Sequence, residues 1–435
     1  MTANPPLPAL LRRRDEDRLR RYRDNLDFYA GNQWQGRARR GERRLTFNYA
    51  RAFVEKVTSY LLNGQSIQVE ARDGETAVGR ARAREAERRL REVESRNALA
   101  QLDFETELDC AVLGDACYKV RWEGEPRITA PDVQGVFAWR QADDPARITA
   151  IASQYSLEAG ALTAPSGGPL PATTVTEYWT AETFELWRGD ELAERVANPY
   201  GFIPFIVFPN QREPKETWGA SDIPPLLESN RELNRAYSQL SQILELSGNP
   251  IAVLEGVTGS QDIAVEPGAI WEVPERARAY LLDLLQGGGV ALHRDYIDLI
   301  YRTLHDLGES PRAAFGHNPA GLSGVALNTE LDPLAKKVAR KQRIRTAVYE
   351  RRATMVLELL HQFEGLDIEG LRPVMHWGPV LPIDRSREVS DERQLVEARV
   401  HSRRTAAALL GSDDPEAEWA RVREEAVADT TVAAR

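Results

Sequence analysis

The longest uninterrupted helical pattern in this chain runs from about Asp332 to Phe363. No glycine or proline interrupts it after Pro333. At 1.5 Å per residue, such a helix is roughly 45 Å long, which is longer than the usual helix of a globular domain. A helix of this length needs an extended surface to pack against, so the rest of the chain must supply one.

Two further amphipathic helices are predicted from apolar residues at three- and four-residue spacing. The first begins near Ser221 or Asp222, which can cap it, and has Pro224 and Pro225 in its first turn. The second follows a glycine triplet and covers residues 288–308. Each helix carries one apolar stripe that needs another helix to cover it. The stripes are Leu226, Leu233, Tyr237, Leu240 and Leu244 on the first helix, and Leu292, Tyr296, Leu299, Ile300, Thr303 and Leu307 on the second.

The segments around these helices mix helical and strand patterns. Residues 248–287 form a β-like insert rich in glycine and proline, and residues 116–208 consist of short runs rich in Val, Ile, Thr and aromatic residues. The predicted fold class is therefore α+β. The tail has a strand-like run and two or three short helices, the last begun by the capping pattern Asp413-x-x-Glu416. Other predicted helices cover residues 15–29, 48–62, 76–95 and 99–113, and a strand covers residues 66–71.

Composition limits the class of protein. A chain of 435 residues with 42% hydrophobic and 28% charged residues is expected to fold. Its longest apolar runs fall far below the roughly 20 residues that span a bilayer, so no membrane helix is expected. The N-terminus lacks the pattern of a signal peptide, so the chain is expected to stay where it is synthesised. Cys110 and Cys117 lack metal-binding spacing and are interpreted as buried thiols in a reducing compartment.

Charge is distributed unevenly along the chain. The formal net charge of −10 argues against general avidity for nucleic acid. Arginine dominates residues 12–51, and a second basic block covers residues 336–345. Such segregation suits subunits that contact one another as well as it suits a polyanion. Acidic residues mark the C-terminus at Asp413, Asp414, Glu416, Glu418, Glu424 and Glu425.

One stretch, GHNPAGLSGVALN at residues 316–328, comes close to a phosphate-binding loop. Leu322 occupies the position of the essential lysine, and the preceding element is a predicted helix where the motif needs a strand. Ser323 does not complete the G-x-S-x-G pattern of a hydrolase either. The stretch is better interpreted as a flexible connection, with Ser323 or Asn328 beginning the next helix.

Other patterns of catalytic or metal-binding residues are weak. The six histidines are scattered, and none forms a metal-binding pair with a carboxylate. Glu213 and Lys215 have a nuclease-like spacing, but Pro214 between them argues against the required strand. The sequence therefore predicts no catalytic residue, cofactor or metal. Two alternatives stay open beside the interpretation below: an enzyme with a degenerate nucleotide-binding loop, and a virion adaptor protein without a channel.

The order of several stretches resembles that of the portal proteins of tailed bacteriophages. The resemblance extends from about Tyr22 to Glu425. Each stretch is weak alone, but six in the same order are hard to obtain by chance. They are YAGNQW at 29–34, RLTFNYARAFVEKVTSYLLNG at 44–64, NPYGFIPFIVFPN at 198–210, WGASDIPPLLESNRELNRAYSQL at 218–240, SGVALN at 323–328 and SRRTAAALLGSDDPEAEWARVREE at 402–425.

The resemblance implies a ring, usually of twelve subunits, at one capsid vertex, through which double-stranded DNA is packaged and ejected. It also implies an elongated subunit with an α/β wing, a two-helix stem, a small β-rich clip and a helical crown. The expected division is wing 1–220, first stem helix 221–247, clip 248–287, second stem helix 288–309, tunnel loop 310–326, long wing helix and following strand 327–385, and crown 386–435. The residues expected to project into the channel are Gly316, His317, Asn318, Pro319, Ala320, Gly321, Leu322, Ser323 and Gly324.

The same resemblance implies partners and a location. The chain is expected to bind other copies of itself and double-stranded DNA without sequence specificity. Further expected partners are the packaging terminase, the major capsid and scaffolding proteins, and the head-completion or tail adaptor proteins. The expected location is the virion, after assembly in the host cytoplasm, and the ATPase activity is expected to belong to a partner.

Overall fold

The protein is described by a computed structural model that covers ten stretches of the chain. Helices and strands occur together in it, which confirms the predicted α+β class. The chain forms two compact units, one ending at Gly378 and the other beginning at Pro379. The described residues are 6–72, 74, 76–159, 172–248, 251–255, 278–282, 289–317, 324–381, 385–412 and 417–425.

The helices of the first unit include nine that we label α1 to α9, and the second unit contains α10 and α11. Residues 417–425 of the second unit are also helical. The bounds are α1 Leu7–Arg14, α2 Glu16–Tyr29, α3 Tyr49–Leu61, α4 Ala77–Arg96, α5 Leu99–Leu113, α6 Leu227–Gly248, α7 Gly289–Gly308, α8 Gly324–Glu330, α9 Asp332–Glu364, α10 Arg385–Glu397 and α11 Arg403–Leu409.

The strands form antiparallel sheets in the first unit. A five-stranded sheet has the order β4-β5-β6-β7-β8, and a three-stranded sheet has the order β3-β2-β9. The pairs β1-β14, β10-β11 and β12-β13 complete the set. The bounds are β1 Ser66–Ala71, β2 Asp115–Trp122, β3 Pro126–Thr129, β4 Val136–Arg140, β5 Ile148–Leu157, β6 Thr173–Trp179, β7 Thr183–Arg188, β8 Glu191–Ala197, β9 Phe205–Pro209, β10 Gln211–Arg212, β11 Gly219–Ala220, β12 Ile251–Glu255, β13 Arg278–Leu282 and β14 Leu371–His376.

Local capping explains why several predicted helices are confirmed almost residue for residue. The side chain of Asn48 accepts a hydrogen bond from the backbone N–H of Arg51 at the start of α3, and Thr76 does the same for Gly79 in α4. Helix α5 ends at Gly114, whose φ of 108° is a conformation that favours glycine. These signals are local in sequence, so the sequence alone predicts them.

Helix α9 confirms the long helix. Its 33 residues span about 50 Å. One side of α9 is buried in a core that also contains Leu90 of α4, Tyr118 and Val120 of β2, and Met375 of β14. The strands β1 and β14 pair in this core, although they are about 300 residues apart in the chain. The extended surface expected for this helix is therefore a composite of α4 and short strands.

Several local predictions need correction. Helix α6 begins at Leu227, after a 3-10 turn at Pro224–Leu226, because the two prolines form a tighter turn than the predicted α-helical start. Asn328 lies inside α8 and does not begin a helix. The loop predicted over residues 310–326 is too wide, because Arg312–Phe315 is a 3-10 helix packed on α3 and because α8 begins at Gly324.

Some predictions lie partly or wholly outside the described residues. Of residues 248–287, the structure describes the antiparallel strands β12 and β13, which agree with a β-like insert. The capping pattern at 413–416 lies outside the described residues. The division into wing, stem, clip and crown stays a prediction. Cys110 and Cys117 are buried and unpaired, as predicted, and no helix among the described residues is long and apolar enough to cross a membrane.

Candidate functional site

Helices α6 and α7 pack against each other where they join the body of the first unit. Leu233 of α6 and Ile300 and Leu304 of α7 share one apolar core with Phe53 of α3. Helix α7 ends at Gly308, where a Cβ atom would lie 2.5 Å from the ring of Phe53. Only glycine allows this close approach, so the ends of the two helices are fixed tightly on α3. We call this junction the helix root.

A cluster of buried amides forms one side of the helix root. The Gln33 side chain accepts hydrogen bonds through Oε1 from Asn230 Nδ2 at 2.6 Å and from Asn234 Nδ2 at 2.7 Å. Its Nε2 donates to Asn48 Oδ1 at 2.9 Å. All three asparagines and Gln33 are buried or partly buried. Their mutual hydrogen bonds satisfy groups whose burial without partners would be costly.

The same face of α6 also binds the backbone of residues 45–50. Leu45 N donates to Ser238 Oγ at 2.9 Å, Phe47 N to Asn234 Oδ1 at 2.8 Å and Ala50 N to Asn230 Oδ1 at 3.1 Å. Since Asn230, Asn234 and Ser238 follow at intervals of four, they lie in one row on the helix. The sequence analysis did not predict this row, although three small polar residues at intervals of four are visible in the sequence. It brings together three of the stretches that carry the portal resemblance.

Two lysines of α9 hold the other side of the helix root. Lys341 Nζ lies 2.7 Å from Asp222 Oδ2, just before α6, and Lys337 Nζ lies 3.5 Å from Asp222 Oδ1. Lys337 Nζ also donates to the carbonyl of Gly308, at the end of α7, at 3.1 Å. Burial opposes ionisation of Asp222, but the two ammonium groups hold its pKa well below the usual range. Asp222 is thus an ion-pair partner and not the predicted helix cap.

The buried ion pairs continue along α9. Arg345 is completely buried and donates to both carboxylate oxygens of Glu107, at 2.9 and 2.7 Å, and to the carbonyls of Pro209 and Asn210. Burial would lower the pKa of Arg345, but Glu107 raises it, so the guanidinium stays charged. Two turns further on, Arg352 forms a second buried pair with Asp103.

These contacts correct the interpretation of the basic block at residues 336–345. Lys337, Lys341 and Arg345 do not face a partner or a polyanion, because they are buried against carboxylates of the same chain. The remaining cations of the block are more exposed, and Arg340 pairs with Glu309 at 2.6 Å. Asp222 and Glu107, the acidic partners of the three buried cations, lie more than 100 residues away in the chain, so sequence periodicity could not reveal them.

The predicted apolar stripes are only partly covered in the single chain. Leu226, in the 3-10 turn before α6, and Leu233 on α6 are buried. Further along α6, Tyr237 and Leu240 are partly buried, and Leu244 is 51% exposed. On α7, Leu292 is 71% exposed and Leu299 60% exposed, and Tyr296 and Thr303 are also exposed.

The residues of α7 that pack in the chain are instead Ile297, Ile300 and Leu304. They lie roughly 80–160° around the helix from Leu292 and Leu299, at about 100° per residue. Helix α7 therefore has two apolar faces. One is buried in this chain, and the other, which we call the outer face of α7, is exposed.

The predicted tunnel loop starts from a fixed point. Phe315 packs against the rings of Phe53 at 5.1 Å and His305 at 5.3 Å. Gly316 follows with a φ of 84°, a conformation that favours glycine, and His317 is exposed. Gly324 begins α8, and Asn318, Pro319, Ala320, Gly321, Leu322 and Ser323 lie outside the described residues. Among the described residues, no group of three or more His, Cys, Asp or Glu side chains could hold a metal ion.

The model of the family described as phage portal protein, SPP1 Gp6-like, matches residues 9–431, nearly the whole chain. This chain belongs to the phage portal protein family. No curated protein matches it. The family consists of structural virion proteins of the head-tail connector that take part in DNA packaging, and it is not a known family of enzymes. A portal protein forms rings at a capsid vertex and has capsid and packaging partners.

One further polar site in this portal protein is a cavity of about 510 Å³ between α4, α5 and α9, which Glu94 and Arg352 line. Burial raises the pKa of Glu94, although Arg352 counteracts the effect. A carboxyl whose pKa is raised by folding stabilises the fold below its unfolded pKa, and this contribution is lost as the pH rises through the folded value. Glu94 therefore contributes less stability at higher pH than at lower pH.

We expect Glu94→Gln to raise the thermal unfolding temperature at pH 7 to 8, and the gain should shrink as the pH falls towards 4. The measurement is thermal unfolding across this pH range. Glu85→Gln on the same helix is the matched control, because its hydrogen bond with Arg88 lowers the pKa of Glu85. The control should not gain stability at pH 7. A gain from Glu94→Gln that does not change with pH would contradict the explanation.

Proposed function

We propose that this chain is the subunit of a portal ring, of the usual twelve subunits, that forms the channel for double-stranded DNA during packaging and ejection. The observation that carries the proposal is the outer face of α7. Leu292 and Leu299 expose most of their side chains there, although the other apolar face of the same helix is already packed in the chain. Contiguous apolar surface of this kind is typical of a protein interface.

A closed ring supplies a cover for this face in every copy. In a head-to-tail ring, one surface of each subunit meets a different surface of the next, and no subunit is left with a free face. Obligate interfaces of this type bury on the order of 2,000 Å² or more. In the proposed ring, α6 and α7 form the stem, and the fixed helix root holds their direction relative to α9.

The proposal includes the channel and the docking partners. Duplex DNA passes without sequence specificity, and residues 316–324 project towards it from the fixed end at Phe315. The packaging terminase and later the head-completion proteins dock on residues 248–287, and the major capsid and scaffolding proteins contact the outer parts of the ring. Assembly begins in the host cytoplasm.

Imaging of purified particles tests the ring. We expect the images to show rings with a central hole. Light scattering should give a mass that equals a whole number of subunits, close to twelve. A chain that stays monomeric at high concentration would contradict the proposal. Discrete oligomers without a hole would favour the alternative of a virion adaptor protein.

The loop is tested separately from the ring. A Cβ at Gly324 would meet no atom of the described residues within 4 Å, so the subunit fold should tolerate Gly324→Val, and we expect rings to form. We expect this change, combined with Gly321→Val, to lower the amount of DNA packaged in a reconstituted packaging reaction, because the loop loses backbone freedom. Loss of rings in the variant would mean that the glycines serve packing and not the movement of DNA.

A further inference from the structure

A basic cleft of about 500 Å³ lies between α6 and residues 33–44. We call it the arginine cleft. One wall is the exposed side of α6 from Arg231 to Gln242, and the other includes Trp34. The arginines that line it are Arg37, Arg39, Arg43, Arg44, Arg231 and Arg235.

The positive charge of the arginine cleft is only partly neutralised. Four of its arginines have carboxylate partners, which are Glu245, Glu42, Glu228 and Glu232. Arg37 and Arg39 have no carboxylate within ion-pair distance among the described residues. The cleft therefore has capacity for anionic groups from outside the chain.

The arginine cleft is preformed. Its base is the row of Asn234 and Ser238 on α6, which holds the backbone at Phe47 and Leu45 by hydrogen bonds of 2.8 and 2.9 Å. Gln33, at the other end of the segment, is fixed by the same row. A partner that enters the cleft therefore does not have to order residues 33–44 first, which lowers the cost of binding.

The outer face of α7 carries two carboxylates, and Arg302 on the same side is paired with Asp298. Asp295 and Asp306 lie on this face beside Leu292 and Leu299, since all four are close in angle around the helix. Asp306 has no basic partner among the described residues. Within the described part of the chain, the basic partner of Asp295 is Arg294, in an exposed contact at 3.3 Å, which contributes little.

The two surfaces also match in length. Asp295 and Asp306 are eleven residues apart on α7, and Arg231 and Gln242 are eleven residues apart on α6. Each distance corresponds to roughly 16 Å along a helix. An acidic apolar helix face can thus lie along the whole α6 wall of the cleft.

We propose that the outer face of α7 in one copy docks in the arginine cleft of the next copy. This inference rests on the proposed ring and names the contact that closes it. The basic cleft and the acidic face are different surfaces of one chain, so their pairing is head-to-tail, as a ring requires. Trp34 and the aliphatic parts of the arginines and glutamines cover Leu292 and Leu299. A cleft of this volume accepts side chains, and its occupant is therefore a second copy and not duplex DNA.

Cysteine cross-linking tests the contact. Gln239→Cys places a thiol in the arginine cleft, and Leu299→Cys places one on the outer face of α7. The native Cys110 and Cys117 are buried, and burial raises the pKa of both thiols, so they stay unreactive. With a short bis-maleimide, we expect a ladder of covalent oligomers from the double variant and none from either single variant. Dimers from Leu299→Cys alone, or no ladder from the double variant, would overturn the proposal.

Charge reversal provides the second measurement. We expect Arg37→Glu with Arg39→Glu to raise the protein concentration needed for half-maximal ring formation about tenfold or more, and Asp295→Lys with Asp306→Lys to do the same. Combining all four changes should restore rings. Arg127→Glu, at an exposed position of β3, is the matched control and should change nothing.

The outcomes separate the two proposals. If the unmodified chain forms no ring, the proposed function fails. If the unmodified chain forms rings and every charge-reversal variant forms them equally well, only the proposed docking contact fails. Reversals of Arg37 and Arg39 that leave rings intact but reduce retention of duplex DNA would assign the cleft to DNA and overturn the docking proposal.

Discussion

Replacing Arg345 with methionine is expected to lower the free energy of unfolding by about 3–5 kcal/mol. Arg345 is completely buried, and Glu107, its partner, is 2% exposed. Methionine has a similar length and keeps much of the packing, but it leaves the buried Glu107 carboxylate without the guanidinium and with the Lys341 ammonium group 3.7 Å away. The measurement is chemical denaturation of the full chain, followed by far-ultraviolet circular dichroism.

Two further variants make this prediction specific. Arg351→Met changes the same helix at an arginine that is 45% exposed and lies 3.5 Å from Glu358, so its cost should stay within about 1 kcal/mol. The double change Glu107→Met and Arg345→Met removes both charges and should recover most of the loss. If the double variant were as unstable as Arg345→Met, the buried Glu107 carboxylate left without its guanidinium would not be the cause of the lost stability.

Replacing both Leu292 and Leu299 with aspartate is expected to abolish rings and to leave the subunit folded. Each leucine buried at a subunit contact contributes about 1.5–3 kcal/mol, so the pair accounts for about 3–6 kcal/mol, or roughly 10²- to 10⁴-fold in the association constant. Both side chains are largely exposed in the single chain, so its fold should tolerate the change. Light scattering gives the mass, and circular dichroism gives the folded content.

The same helix provides the control. Leu304, on the buried apolar face of α7, is 0% exposed. Leu304→Asp should therefore unfold the helix root and not merely separate the subunits. Val196 on β8 is 42% exposed, and Val196→Asp should keep the rings. Rings that persist in the Leu292→Asp and Leu299→Asp double variant would show that the outer face of α7 is not a subunit contact.

Much of the secondary structure could be predicted from the sequence because its signals are local. The long helix was expected at Asp332–Phe363 and is observed at Asp332–Glu364. Pro333 lies in its first turn, and Gly365 caps its last turn. Asn48, Thr76 and Gly114 act as caps within a few residues of the groups they satisfy. The order of six weak stretches was enough to indicate the portal family, which the family comparison confirms.

The same local signals do not predict contacts between residues that lie far apart in the chain. A basic block at residues 336–345 has the same composition whether it faces solvent, a polyanion or buried carboxylates. Only the folded chain decides that Lys341 and Arg345 meet Asp222 and Glu107. For the same reason, the sequence marked Leu292 and Leu299 as apolar but could not say which face of α7 the chain itself covers. Periodicity gives the direction of each side chain around its own helix, and the tertiary structure decides what stands opposite.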